Sequence, residues 1–76
     1  MDRISCIAYL LYQVNNEELK NASIRLVNGD VSLTKLKKDC NILPYIQEAE
    51  KTLKEQTLNN EDVYKFVEHF LYVNVD

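Results

Sequence analysis

Apolar residues return every three or four positions along most of this chain, and polar residues suited to capping mark where each run begins. The clearest pattern is in the last third, NNEDVYKFVEHFLYVNVD, where Val63, Phe66, Val67, Phe70 and Leu71 form one stripe at helical spacing. Asn59 or Asn60 can accept from the free backbone N–H groups at its start. Glu61 and Asp62 fall in the first turn, where the positive end of the helix dipole favours them. The spacing predicts a helix over about 60–73. Before it, LPYIQEAEKTLKEQTLNN carries Pro44 at a first helical position, where its missing N–H costs nothing. Ile46, Ala49 and Leu53 then share a face, with Tyr45 and Thr52 at its edges, and Glu50 and Lys54 form an exposed i,i+4 pair. This second helix is predicted over about 44–57. The short Leu58-Asn59 connection predicts that it pairs with the last helix as an antiparallel hairpin.

The opening segment differs in kind. On a helical projection Ile4, Ile7, Ala8, Leu11 and Val14 make a core stripe with Leu10 beside it. Cys6 and Tyr9 lie on the opposite face and Tyr12 on a flank. A helix apolar nearly all round is normally surrounded by protein. Either the rest of this chain covers the second face, making a central helix, or another chain does, which would be a homodimer through the first helix. The run CIAYLLY also fits a short buried strand, but its length and its good helix formers favour helix.

The middle reads in two ways. In LVNGDVSL, Asn28-Gly29 is a strong two-residue hairpin signal, which would set Leu26 against Val31 and Ile24 against Leu33. Alternatively Asn16 caps a helix over 16–27 with Leu19, Ala22, Leu26 and Val27 on its face, and Gly29 stops it. Ser32 then caps LTKLKKDC, with Leu33, Leu36 and Cys40 at i, i+3 and i+7. The helical version gives Leu19, Ala22 and Leu36 a role that the hairpin leaves unassigned, and an isolated ribbon is marginal in water. The expected fold is therefore all-α, a compact bundle of four to five short helices forming a single domain over 1–76. An α+β fold with a small hairpin at 24–33 is the alternative.

Composition narrows the picture. At 76 residues there is room for one modest core, and one glycine and one proline leave no linker or low-complexity stretch. Two cysteines can make at most one internal disulfide, which does not amount to a disulfide scaffold, and whether Cys6 and Cys40 pair is left open. The net charge of −3 argues against nucleic acid or an anionic membrane as the main partner. The apolar run over residues 4–12 is about half the length of a bilayer span. The expected setting is the cytoplasm, with reduced thiols and no membrane association.

Candidate chemistry is sparse. His69 is the only histidine, and no second histidine or close cysteine pair offers transition-metal spacing. A Cys–His nucleophile pair using Cys6 or Cys40 with His69 needs only spatial proximity, but both thiols sit among apolar neighbours and read as small core residues. VNGDV resembles half of a calcium loop, yet Ile24 stands where the first ligand belongs and Lys35 where the bidentate glutamate belongs. Neither an enzyme nor a cofactor is expected.

Two surfaces remain. Tyr9, Tyr64 and Tyr72, with Cys6 and the acidic Glu61, Asp62 and Glu68, sketch an aromatic-acidic face suited to a basic protein. The leading expectation is a non-enzymatic protein-interaction module, a regulator or inhibitor. The alternative is a small helix-turn-helix DNA-binding regulator using residues 32–40, with Lys35, Lys37 and Lys38 on phosphate. Against it, no arginine, asparagine or glutamine between residues 29 and 40 could grip a base edge, and three lysines on an acidic chain attract phosphate weakly.

Overall fold

The structure is a computed structural model that describes the backbone of residues 3–73 and the side chains of residues 3–70. It contains five helices and, among the described residues, no strand: α1 (Arg3–Tyr12), α2 (Glu17–Val27), α3 (Leu33–Leu36), α4 (Leu43–Glu55) and α5 (Asn60–Val73). The all-α reading of the middle segment holds, and the hairpin alternative at 24–33 does not. The radius of gyration is 11.6 Å, against about 11.4 Å for a compact domain of this length.

Gly29 decides the middle. Its φ of +77° is open to glycine at little cost, and here it ends a helix. The Gly29 N–H donates to the Leu26 carbonyl (3.3 Å) and the Asp30 N–H to the Arg25 carbonyl (2.9 Å). Those two bonds make a complete Schellman stop, which satisfies carbonyls that a ribbon would have turned to a partner strand. The Asn28 side chain adds a third bond, donating from Nδ2 to the Ile24 carbonyl at 2.9 Å. At the other end of α2, Asn16 Oδ1 accepts from the N–H groups of Glu18 (2.9 Å) and Leu19 (3.3 Å). Ser32 Oγ likewise accepts from Lys35 N at 3.1 Å to start α3.

α1 is the central helix. It packs on α2, α4 and α5, and the fully buried Ile7, Ala8 and Leu11 sit where these elements meet. Leu19, Ala22 and Leu26 of α2, Leu36 of α3, Ile42, Ile46 and Ala49 of the α4 region and Phe66 of α5 complete the core. Each fully buried aliphatic side chain stabilises the fold by about 1.5–3 kcal/mol. Ser23 is the one polar residue among them: its hydroxyl donates to the Lys20 carbonyl one turn back (2.7 Å), so it enters the core with its donor satisfied.

Several sequence expectations need correction. α3 is one turn, not a helix through residue 40. After Leu36 the chain tightens into i→i+3 bonds from Lys38 to Lys35 (3.2 Å) and from Asp39 to Leu36 (3.0 Å). Asp39 Oδ1 then accepts from Asn41 N (2.9 Å), a local turn that competes with the helix, and Cys40 is exposed, not core. α4 and α5 are not hairpin partners either, since each packs on α1. The chain leaves α4 in extended backbone at Gln56 (φ −150°, ψ 155°), and that link carries it across the bundle. Glu50 pairs with Arg3 and Lys37, not with Lys54. Ile4, placed in the core stripe by its spacing, is 45% exposed.

Candidate functional site

Local chemistry at α5 builds an exposed polar-aromatic ridge. Asn59 Oδ1 caps the helix, accepting from Glu61 N (2.8 Å) and Asp62 N (3.4 Å), and leaves both carboxylates in the first turn. Val63 and Phe66 are buried and Val67 and Phe70 half-buried, so this stripe faces the bundle. An aromatic cluster fixes that orientation. Tyr12 lies 5.3 Å from Phe66 and 4.9 Å from Phe70 between ring centroids, and Tyr9 meets Phe66 edge-on at 5.7 Å. Offset and edge contacts of this kind add about 0.5–1.5 kcal/mol each beyond burial.

With the stripe turned inward, helical geometry of about 100° per residue sends Glu61, Lys65 and Glu68 straight outward. Tyr64 falls on one flank beside Glu61 and Glu68, while Asp62 and His69 fall on the other. All six are exposed, Tyr64 at 58%. Glu61 makes an i,i+4 pair with Lys65 (3.4 Å), and His69 stands edge-on to Phe70 at 4.8 Å. Among the described residues, Asp62 and Glu68 have no ion-pair partner.

The sequence-predicted site residues thus divide. Glu61, Asp62, Tyr64 and Glu68 come together on one helix. Cys6 is buried and Tyr9 is half-buried against Phe66 of α5, so the second apolar face of α1 is covered within the chain. That removes the free surface expected to carry a homodimer through the first helix. The side chain of Tyr72 lies outside the described residues. Tyr45, placed at the edge of the α4 core face, proves substantially exposed, as its border position could have signalled.

The three lysines of the alternative site are not arrayed on a helix. Lys35 is in the single turn of α3, Lys37 and Lys38 follow it, and Lys37 Nζ is engaged by Glu50 at 3.2 Å. Five residues separate α2 from α3, and one turn of helix is too short to lie along a major groove.

Two surface depressions are small. A depression of about 220 Å³ is lined by Arg3, Glu50, Leu53 and Lys54. A second of about 140 Å³ runs between α1 and α4 past Leu10, Val14, Tyr45 and Thr52. Both fall below the roughly 300 Å³ at which small-molecule sites begin. No group of three metal-ligating side chains occurs among the described residues. Cys6 and Cys40 are separate thiols, one buried and one exposed. No described helix is long and apolar enough to cross a membrane. Comparison with models of known protein families, with curated proteins and with solved structures finds no match to this chain.

Proposed function

We propose that this chain is a non-enzymatic protein-interaction module that acts as a regulator or inhibitor by docking a basic protein on the outer face of α5. The observation that carries the reading is Tyr64, a large side chain left 58% exposed between Glu61 and Glu68 on a helix whose inner face is already committed. Tyrosine supplies contact area at little entropic cost, and flanking carboxylates select a basic partner and speed its approach. The duplex-binding alternative draws no comparable support, because residues 32–40 form a turn in place of a recognition helix.

The test is capture from a lysate of the source organism, comparing the parent chain with Tyr64→Ala and Glu68→Lys. Glu68 is the cleaner charge to reverse, because it lies outside the capping turn and a cation nearer the C-terminal half does not oppose the dipole. Each variant should keep its helical circular dichroism. Tyr64→Ala should weaken capture of the same specific protein by at least about fivefold, about 1 kcal/mol. Undiminished capture by both variants overturns the reading, as does a parent chain that retains no specific protein.

A further inference from the structure

The Schellman stop that ends α2 also holds the chain's one asparagine-glycine pair, and that pair has a chemistry of its own. Gly29 is the only glycine, so Asn28 is the only asparagine followed by a backbone nitrogen without side-chain crowding. In an open chain that nitrogen, once deprotonated by base, attacks Cγ of the preceding asparagine. The new N–Cγ bond closes a five-membered succinimide, the Cγ–Nδ2 bond breaks, and ammonia leaves with the proton it needs. Water then opens the ring at either carbonyl. Attack at Cγ yields aspartate, and attack at the main-chain carbonyl carbon yields isoaspartate, with the chain rerouted through the side chain. No oxidant or partner enzyme is required.

Every group in that reaction is held away from it. Asn28 sits at φ −82° and ψ −3°, whereas ring closure needs its ψ rotated far from that value to bring Cγ against the next nitrogen. Its leaving group, Nδ2, is bonded to the Ile24 carbonyl at 2.9 Å, which swings Cγ back over α2. The nucleophile, Gly29 N, spends its proton on the Leu26 carbonyl at 3.3 Å, and the Asp30 bond to Arg25 at 2.9 Å fixes the turn around it. The lock is nevertheless at the surface: Asn28 is half-buried, while Gly29 and Asp30 are exposed. Base and water can reach it as soon as the last turn of α2 frays.

We infer that Asn28-Gly29 is a modification site gated by the end of α2, silent while the Schellman stop is closed and converting to aspartate or isoaspartate when it opens. Neither product restores the full set of bonds. Aspartate at position 28 loses the donor to the Ile24 carbonyl and sets a negative charge at the negative end of the helix dipole. Isoaspartate lengthens the backbone inside the turn, so the two capping bonds can no longer form together. Either product therefore loosens the α2–α3 connection, and the loss of ammonia makes the change one-way.

The experiment incubates the full chain at mildly alkaline pH, in buffer and in guanidinium chloride, and follows each asparagine by peptide mapping and mass spectrometry. In denaturant Asn28 should convert ahead of Asn15, Asn16, Asn21, Asn41, Asn59, Asn60 and Asn74. In buffer it should convert at least about tenfold more slowly, because reaction then waits on the small open population of the helix end. Equal rates at Asn28 in the two conditions overturn the gate, and a slow Asn28 in denaturant overturns the site. The consequence is tested separately by Asn28→Asp, which should melt below the parent chain. A variant melting level with the parent or above it overturns the loosening of the helix end.

Discussion

Lys20 closes the turn between α1 and α2 from a position that no sequence pattern marks. Its Nζ donates to the Tyr12 carbonyl at 2.9 Å, at the end of α1 where carbonyls are left over, and stands 4.3 Å from the centre of the Tyr12 ring. A cation at a helix C-terminus contributes about 0.3–1 kcal/mol and a cation–ring contact at a partly exposed site about 0.5–1 kcal/mol. Lys20→Met keeps the aliphatic stem but loses both interactions, so it should cost about 1 kcal/mol. For a chain of this length that lowers the thermal midpoint by about 4–8 °C. A Lys20→Met midpoint equal to that of the parent would rule this role out. The interaction was hidden because it depends on how Gln13–Asn16 folds back. The same limit explains Cys6 and Tyr9. Periodicity revealed that α1 is apolar on two faces, but the ring that packs on Tyr9 of the second face, Phe66, arrives from the far end of the chain.

The start of each capped element was readable where a single side chain makes it. Asn16, Ser32 and Asn59 all cap from positions their sequence contexts marked, and Gly29 stops α2, because these bonds lie within five residues and need no tertiary partner. Gly29 permits a clean measurement of one such device. A Cβ added there would meet nothing within 4 Å, so a substitution suffers no clash and its cost is conformational. Gly29→Ala should therefore destabilise the chain by about 1–2 kcal/mol through the left-handed backbone alone. A denaturant midpoint shifted down at unchanged m-value is the expected signature, and an unshifted midpoint would mean that the turn relaxes out of the left-handed region. The end of α3 was not readable. Leu33, Leu36 and Cys40 fit a helical period, but three positions are too few to outweigh Asp39, whose side chain offers the backbone a turn of its own.

At the scale of the molecule, tertiary partners were the part the sequence left undetermined. A short link after α4 implies an antiparallel neighbour only if it turns back, and a stretch such as Gln56–Asn59 can span roughly 13–14 Å when extended. Nor did helical spacing show that Glu50 gathers charges from two other segments. Its carboxylate takes Arg3 at the start of α1 and Lys37 beyond α3 (3.2 Å), tying both to the middle of α4. Desolvation pushes the Glu50 carboxyl up, but hydrogen bonding and charge from Lys37, with Arg3 adding to them, outweigh it and hold the group below its ordinary value of 4.5. A carboxylate whose folded-state value is depressed stabilises the fold fully above its unfolded value, and loses that contribution as pH falls through the folded one. With the Arg3 and Lys37 side chains 62% and 39% exposed, solvent screening limits the two pairs together to about 1 kcal/mol. Glu50→Gln should thus be less stable than the parent at neutral pH by about that amount. The two stability curves should converge as the pH drops below 4.5, and the neutral-pH gap should narrow in high salt. A gap of constant size down the whole acid limb would mean that Glu50 acts through packing and that the three-segment tie is not electrostatic.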